Sequence, residues 1–144
     1  MLVSHILKSK GSEGVVTVQP GLSVAEAAEV LSQRKIGALV ISRDGKTLGG
    51  IISERDIVRE IGRRGPGCLN DTVDSIMTAR VVTCGRADQT DAVLQKMTDG
   101  RFRHIPVVDG GQLVGLISIG DVVKARLSEL SMEKDALEGM IKGY

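Results

Sequence analysis

One phrase occurs twice in this chain of 144 residues. It reads Gly50-Ile51-Ile52-Ser53-Glu54-Arg55-Asp56, and later Gly115-Leu116-Ile117-Ser118-Ile119-Gly120-Asp121. The offset is constant, from Gly50 to Gly115, from Ser53 to Ser118 and from Asp56 to Asp121. Both copies run glycine, two aliphatic residues, serine, two variable residues and aspartate, and then enter an apolar helical stretch. A repeat of this period in a chain of this size leaves room for two structural units and little else. One such unit has too small a core to be comfortable alone, so two are expected to pack sheet to sheet within one ordinary domain.

The flanking segments repeat in the same order. Leu2, Val3, Ile6 and Leu7 suit a short amphipathic helix, followed by a polar loop over Lys8 to Gly14. Val15-Val16-Thr17-Val18 reads as a strand stopped by Pro20-Gly21. Ser23 with Glu26 forms a capping box that opens a helix carrying Val24, Ala27, Ala28 and Leu31. Ile36 to Ile41 is a strand, Asp44-Gly45 a hairpin turn signal and Leu48 to Ile52 the return. Ser53 caps the next helix, with Ile57, Val58 and Ile61 on its apolar face. After a glycine-rich connector the order recurs: a helix over Thr72 to Met77, a strand at Val81-Val82-Thr83, a helix over Asp91 to Met97, and a hairpin from Phe102 to Ile117 turning at Gly110-Gly111. The step from Thr17 to Thr83 is one position longer than the step from Ser53 to Ser118. The offset therefore changes only at the hairpin turn, where an insertion disturbs least. The expected class is α+β, two βαββα units related by a pseudo-twofold axis plus a C-terminal helical extension. The expected boundaries are 1–65 for the first unit with its leading helix, 66–71 for the linker, 72–130 for the second unit and 131–144 for the extension.

Composition narrows the function. The chain is 42% hydrophobic and 26% charged with formal net charge +1, which is globular and offers no general attraction to nucleic acid or membrane. One Phe, one Tyr and no Trp leave no aromatic platform for single strands. Cys68 and Cys84 are neither a Cys-x-x-Cys pair nor a disulfide framework. No apolar run reaches the length of a membrane span. A soluble cytoplasmic protein with reduced thiols is expected. There is no Gly-x4-Gly-Lys-Ser/Thr phosphate loop, Gly62 to Gly67 lacks the order of a dinucleotide fingerprint, and His5 and His104 with two separated cysteines make a poor metal set. No catalytic residue is assigned.

The plain reading of Ser-x-x-Asp before an apolar run is a capping box. The same arrangement suits a nucleotide, because free N–H groups at a helix start attract phosphate and a carboxylate there can accept both hydroxyls of a ribose. Duplication with the intervening strands intact favours binding roles for Ser53, Asp56, Ser118 and Asp121. Arg55, Arg59 and Arg63 form one helical stripe, of which Arg55 is near enough to the first motif to reach phosphate. Arg101 and Arg103 alternate and share a face if their strand begins that early.

The two Gly-h-h-Ser-x-x-Asp phrases (h for an apolar residue), together with Arg103-His104-Ile105-Pro106-Val107-Val108-Asp109, resemble the CBS domain, named after cystathionine β-synthase. Two in tandem resemble a CBS pair, or Bateman module, over about Leu2 to Glu129. The resemblance implies two clefts between the sheets that take adenosine compounds: AMP, ADP, ATP, S-adenosylmethionine or NAD(H). It places Thr17, Val18 and Thr83 against base or phosphate, and has Gly37-Ala38 and His104-Ile105-Pro106 line the clefts through backbone groups. Gly37-Ala38-Leu39-Val40 departs from the Arg-His-Ile-Pro of the second unit, so the clefts should differ. Such modules often form homodimers and regulate a protein partner without catalysing a reaction. The competing expectation is an adaptor with vestigial clefts. Leu127, Leu130, Leu137, Met140 and Ile141 lie roughly on one side of the last helix, which either packs back on its domain or pairs with another copy, and Gly143 would end it.

Overall fold

The computed structural model describes residues 1–11 and 15–142. The expected loop over Lys8 to Gly14 falls partly, and the helix stop at Gly143 wholly, outside the described residues. The order is α1 (Val3–Ser9), β1 (Thr17–Val18), α2 (Val24–Arg34), β2 (Ala38–Ile41), β3 (Gly50–Ser53), α3 (Glu54–Arg64), a 3-10 turn (Pro66–Asn70), α4 (Val73–Ile76), α5 (Thr90–Gly100), β4 (His104–Asp109), β5 (Gln112–Ser118) and α6 (Ile119–Ile141).

Local chemistry sets the helix starts. The Ser23 hydroxyl accepts the Glu26 N–H at 3.0 Å while Glu26 Oε2 accepts the Ser23 N–H at 3.3 Å, and α2 begins at the next residue. Ser53 and Ser118 open α3 and α6 in the same way, with aspartate in place of glutamate. At the other end, α2 and α5 both close on a residue in the left-handed region, Lys35 at φ 53° and Arg101 at φ 56°. These two occupy matching places in the two units, as Thr17 and Thr83 do, so the repeat extends to an unusual backbone conformation.

The first sheet has the order β1-β2-β3, parallel then antiparallel, and the second is the antiparallel pair β4-β5. Ala38 faces Ser53 in one hairpin and His104 faces Ser118 in the other, preserving the two sequence offsets in the register. The first strand of each unit is shorter than its β-branched residues promised. Val15 and Val16 precede β1, and Val81-Val82-Thr83 is not a strand; only Cys84 bridges to Val107. Side chains have taken the backbone groups beside it, since Lys96 Nζ donates to the Thr83 carbonyl at 3.3 Å and Asp88 accepts the Gly85 N–H at 2.9 Å. The turn at Asp44-Gly45 is also broader than a two-residue hairpin. The Asp44 carboxylate gathers the Lys46 and Thr47 N–H groups and the Ser42 and Thr47 hydroxyls, so β3 starts only at Gly50.

Two aliphatic cores result, and the short helices cross over between them. Val3 and Ile6 of α1 pack with Val93, Met97, Ile105, Val107, Ile117 and Val122 of the second unit. Val73 of α4, with Ile76 and Met77 beside it, packs with Val24, Leu31, Leu39, Ile41 and Ile52 of the first. Each unit is therefore completed by the helix that precedes its partner. Leu39 and Ile41 point into the first core, which turns Ala38 and Val40 to the other face; both are nonetheless buried, at 1% and 0% exposure. A sheet covered on one side cannot do this, so the outer faces of the sheets bury each other. The Leu113 N–H, donated to the Lys46 carbonyl at 2.8 Å, joins the two hairpins directly.

Candidate functional site

Between the sheets lies a cleft of about 870 Å³ built from both units. The segment before β1, with Val15 and Val16, forms one wall, and the start of β2, with Gly37 and Ala38, forms the floor. The end of β5 and the start of α6 face them with Leu116, Ser118 and Asp121. Lys8, Lys10, Lys35 and Arg86 also line the cleft. The volume is in the range of small-molecule sites.

Asp121 is fixed but not saturated. Its Oδ2 accepts the Ser118 N–H at 2.9 Å and Lys10 Nζ at 2.8 Å, and Lys10 also donates to the Leu116 carbonyl at 3.0 Å. Among the described residues nothing donates to Oδ1. Burial pushes the Asp121 carboxyl up, but the Lys10 ammonium and the Ser118 N–H outweigh it and hold the group below its ordinary value. The site thus holds an ionised carboxylate with one open oxygen, at the positive end of a 23-residue helix. Lys10 touches this carboxylate, Lys8 and Lys35 line the same cleft, and Arg86 on its lining is paired with Asp109 at 3.0 Å, so the site suits a ligand that has hydroxyls to donate and a negative end.

His104 is held against Gly37. A Cβ on Gly37 would lie 3.0 Å from the imidazole Cε1, so any larger residue there would push the His104 ring aside by a few tenths of an ångström. Burial lowers the His104 pKa, opposed by Glu54 and Asp121 and assisted by Lys10 and Arg103, which keeps the ring neutral near pH 7.

The model of the CBS domain matches residues 3–63 and 73–128. The chain belongs to the CBS domain family. The crystal structure of the CBS-domain protein ATU1752 from Agrobacterium tumefaciens is 45% identical, with TM-score 0.83 over 88% of this chain and 99% of that one. The mitochondrial CBS domain-containing protein CBSX3 of Arabidopsis thaliana is 34% identical, with 98% of this chain and 72% of the relative aligned. Two further solved CBS proteins hold ligands, each 28% identical with TM-score 0.77. PAE2072 from Pyrobaculum aerophilum is complexed with AMP (92% of this chain, 99% of that one). The CBS pair of MJ0100 is complexed with 5′-methylthioadenosine and S-adenosyl-L-methionine (90% and 98%).

In this CBS pair the residues singled out in the sequence separate into groups. Gly37, Ala38, His104, Ser118 and Asp121 meet in the cleft. Ile105 points into the second core and Val18 packs on the first, so their side chains are structural. Pro106 is buried on the sheet-facing side of β4, and Thr17 pairs with Val40 outside the cleft lining. β4 begins at His104, so Arg101 and Arg103 do not share a strand face; Arg101 occupies the left-handed cap of α5, and both are exposed. Ser53, Arg55, Asp56 and Thr83 are also absent from this lining. Arg59 binds Asp56 at 2.6 Å and Arg63 binds Glu60 at 3.0 Å, so two members of the arginine stripe are spent on their own helix, while Arg55 is exposed.

Sequence reasoning missed Lys8, Lys10, Lys35 and Arg86. A signal existed for Lys35, whose counterpart in the second unit is Arg101, a second cation in the same backbone conformation. Lys10 had none. The stretch from Val3 to Thr17 is longer than the stretch from Val73 to Thr83, so Lys10 falls where the two copies do not align. Among the described residues no helix is long and apolar enough to cross a membrane, and no cluster of three or more His, Cys, Asp and Glu residues is placed to hold a metal.

Proposed function

We propose that this CBS pair is a non-catalytic regulatory module that binds an adenosine nucleotide in the cleft at Asp121. The ribose hydroxyls donate to the carboxylate, and the backbone of Gly37 and Ala38 receives the adenine edge. The phosphates turn to Lys8, Lys10, Lys35 and Arg86. The open Oδ1 of Asp121 carries this reading, and the relatives bound to AMP and to S-adenosylmethionine support adenosine as the common element. The lysines of the lining favour AMP, ADP or ATP over the positively charged S-adenosylmethionine; NAD(H), with a second nucleoside to house, is the less favoured of the phosphate-bearing ligands.

Signalling would follow from competition for Lys10. Without ligand its ammonium bridges Asp121 and Leu116; with a nucleotide bound, phosphate offers it a second anion. Lys10 caps the C-terminus of α1, and α1 packs on the second unit, so a shift of the lysine reaches that core. A protein partner would read the change. We place the molecule in the cytoplasm as a homodimer without membrane attachment or nucleic-acid binding; the mitochondrial relative makes organelle fractionation the test of location. The second reading, an adaptor whose clefts are vestigial, draws on the apolar residues exposed along α6.

Calorimetry with adenosine, AMP, ADP, ATP, NADH and S-adenosylmethionine, beside mass spectrometry of co-purifying small molecules, separates the two. Binding of a phosphate-bearing adenosine compound, returned unaltered, is expected. No heat with any of the six favours the adaptor, and turnover of bound ATP overturns the non-catalytic assignment.

A further inference from the structure

The second half of α6 packs on nothing. From Ser131 to Lys142 every residue except Gly139 is exposed, right round the helix. About three turns of free helix are marginal in water, and Gly139 costs a further ~1 kcal/mol relative to alanine. Yet the segment carries Met132, Leu137, Met140 and Ile141 at 58 to 78% exposure. Upstream, Val123, Leu127 and Leu130 are exposed on the flank of the turns whose Val122 and Ala125 face the core. Val123, Leu127, Leu130, Lys134, Leu137 and Ile141 alternate steps of four and three, and fall within about 80° of arc on a helix of 3.6 residues per turn. That is a coiled-coil seam nearly three heptads long, with Lys134 at one core position.

We infer that this seam pairs antiparallel with the same seam of a second copy. The charges beside it choose both the occupant and the direction. Lys124 and Arg126 flank the first half, Glu133 and Glu138 the second. Run parallel, each Glu133 would meet the other copy's Glu138, and the two Lys134 side chains would meet in the core. Run antiparallel about Met132, each Lys124 faces the other copy's Glu138, Lys134 lies across Leu130, and the one like-charge contact is Glu133 with its own copy. Two attractive pairs replace two repulsive ones. The sequence is thus complementary to itself reversed, which a second copy satisfies. The pairing rests on the homodimer proposed above and assigns its surface.

Sedimentation of the full chain, with and without substitutions, tests this. The parent is expected to be dimeric, and Leu130→Asp with Leu137→Asp monomeric with an unchanged melting profile for the rest of the fold. Lys124→Glu is expected to weaken the dimer about fivefold, and Lys124→Glu with Glu138→Lys to restore it. Ser131→Cys, at the centre of the reversed pair, should cross-link on oxidation while the parent, whose two cysteines are buried, does not. A monomeric parent overturns the homodimer and the pairing together. A dimer that survives the two leucine substitutions overturns the pairing alone, and failure of the charge exchange to restore association overturns the antiparallel direction.

Discussion

The two copies of Ser-x-x-Asp have the same capping geometry and different surroundings. At the first, both carboxylate oxygens are committed: Asp56 Oδ2 accepts the Ser53 N–H and hydroxyl at 2.8 and 3.0 Å, and Oδ1 accepts Arg59 at 2.6 Å. At the second, Asp121 commits Oδ2 and leaves Oδ1 open to the cleft. The residue three beyond Asp121 is Lys124, which makes no such bond. Opposite the motifs the contrast continues. Gly37, beside Asp121's cleft, has as its counterpart Arg103; Val16 lines that cleft, whereas Val82 is 46% exposed. Duplication preserved the motif's structural task in both places, and the neighbours decide which copy keeps an uncommitted carboxylate oxygen.

The strongest test of this asymmetry is Asp121→Ala, which should lower affinity for AMP about 10- to 100-fold by calorimetry, the worth of hydrogen bonds to a charged group. Asp56→Ala should instead cost about 1–2 kcal/mol of stability in urea, as a lost helix cap, and leave AMP affinity within about twofold. Equal losses of affinity in the two variants would make the copies equivalent and remove the distinction. Lys10→Met should split two ligands: adenosine, which competes with Lys10 for Asp121, binds more tightly, while AMP loses a phosphate contact and binds more weakly. A common direction for both would show that Lys10 does not exchange between them.

The smallest effect concerns pH. The folded pKa of His104 lies below its unfolded value, so the folded protein binds the fewer protons there. Its contribution to stability is present above about pH 6.5 and lost as pH falls through that value toward the folded pKa. Thermal melts from about pH 7.5 to 5.5 should decline more steeply for the parent than for His104→Gln. Cys84, pushed up to about 11 by burial and by Asp88 against the pull of Lys96, should stay unreactive to thiol reagents across that range.

What the sequence disclosed followed from local chemistry. Ser23, Ser53 and Ser118 announced three helices because each cap is satisfied within the next turn of chain. The hairpins were legible from aliphatic runs. The cleft was half legible: Gly37, Ala38, Ser118 and Asp121 belong to repeated positions, but that the start of one unit's sheet meets the helix start of the other is a long-range fact without local signature. Lys10 lay beyond reach because it sits in the stretch whose length differs between the copies. The strand expected at Val81-Val82-Thr83 failed for a related reason, since Lys96 and Asp88 claim the adjacent backbone groups from elsewhere in the chain.

The crossing of α1 and α4 also limits how the molecule can be divided. A cut in the 66–71 connector, the obvious place by composition, would strip Val73 from one hydrophobic centre and Val3 and Ile6 from the other. Either fragment would expose a groove shaped for a helix that now resides on its sibling. Mixed together, the fragments have a reason to reassociate; expressed singly, each has a vacancy that a stray amphipathic segment can fill.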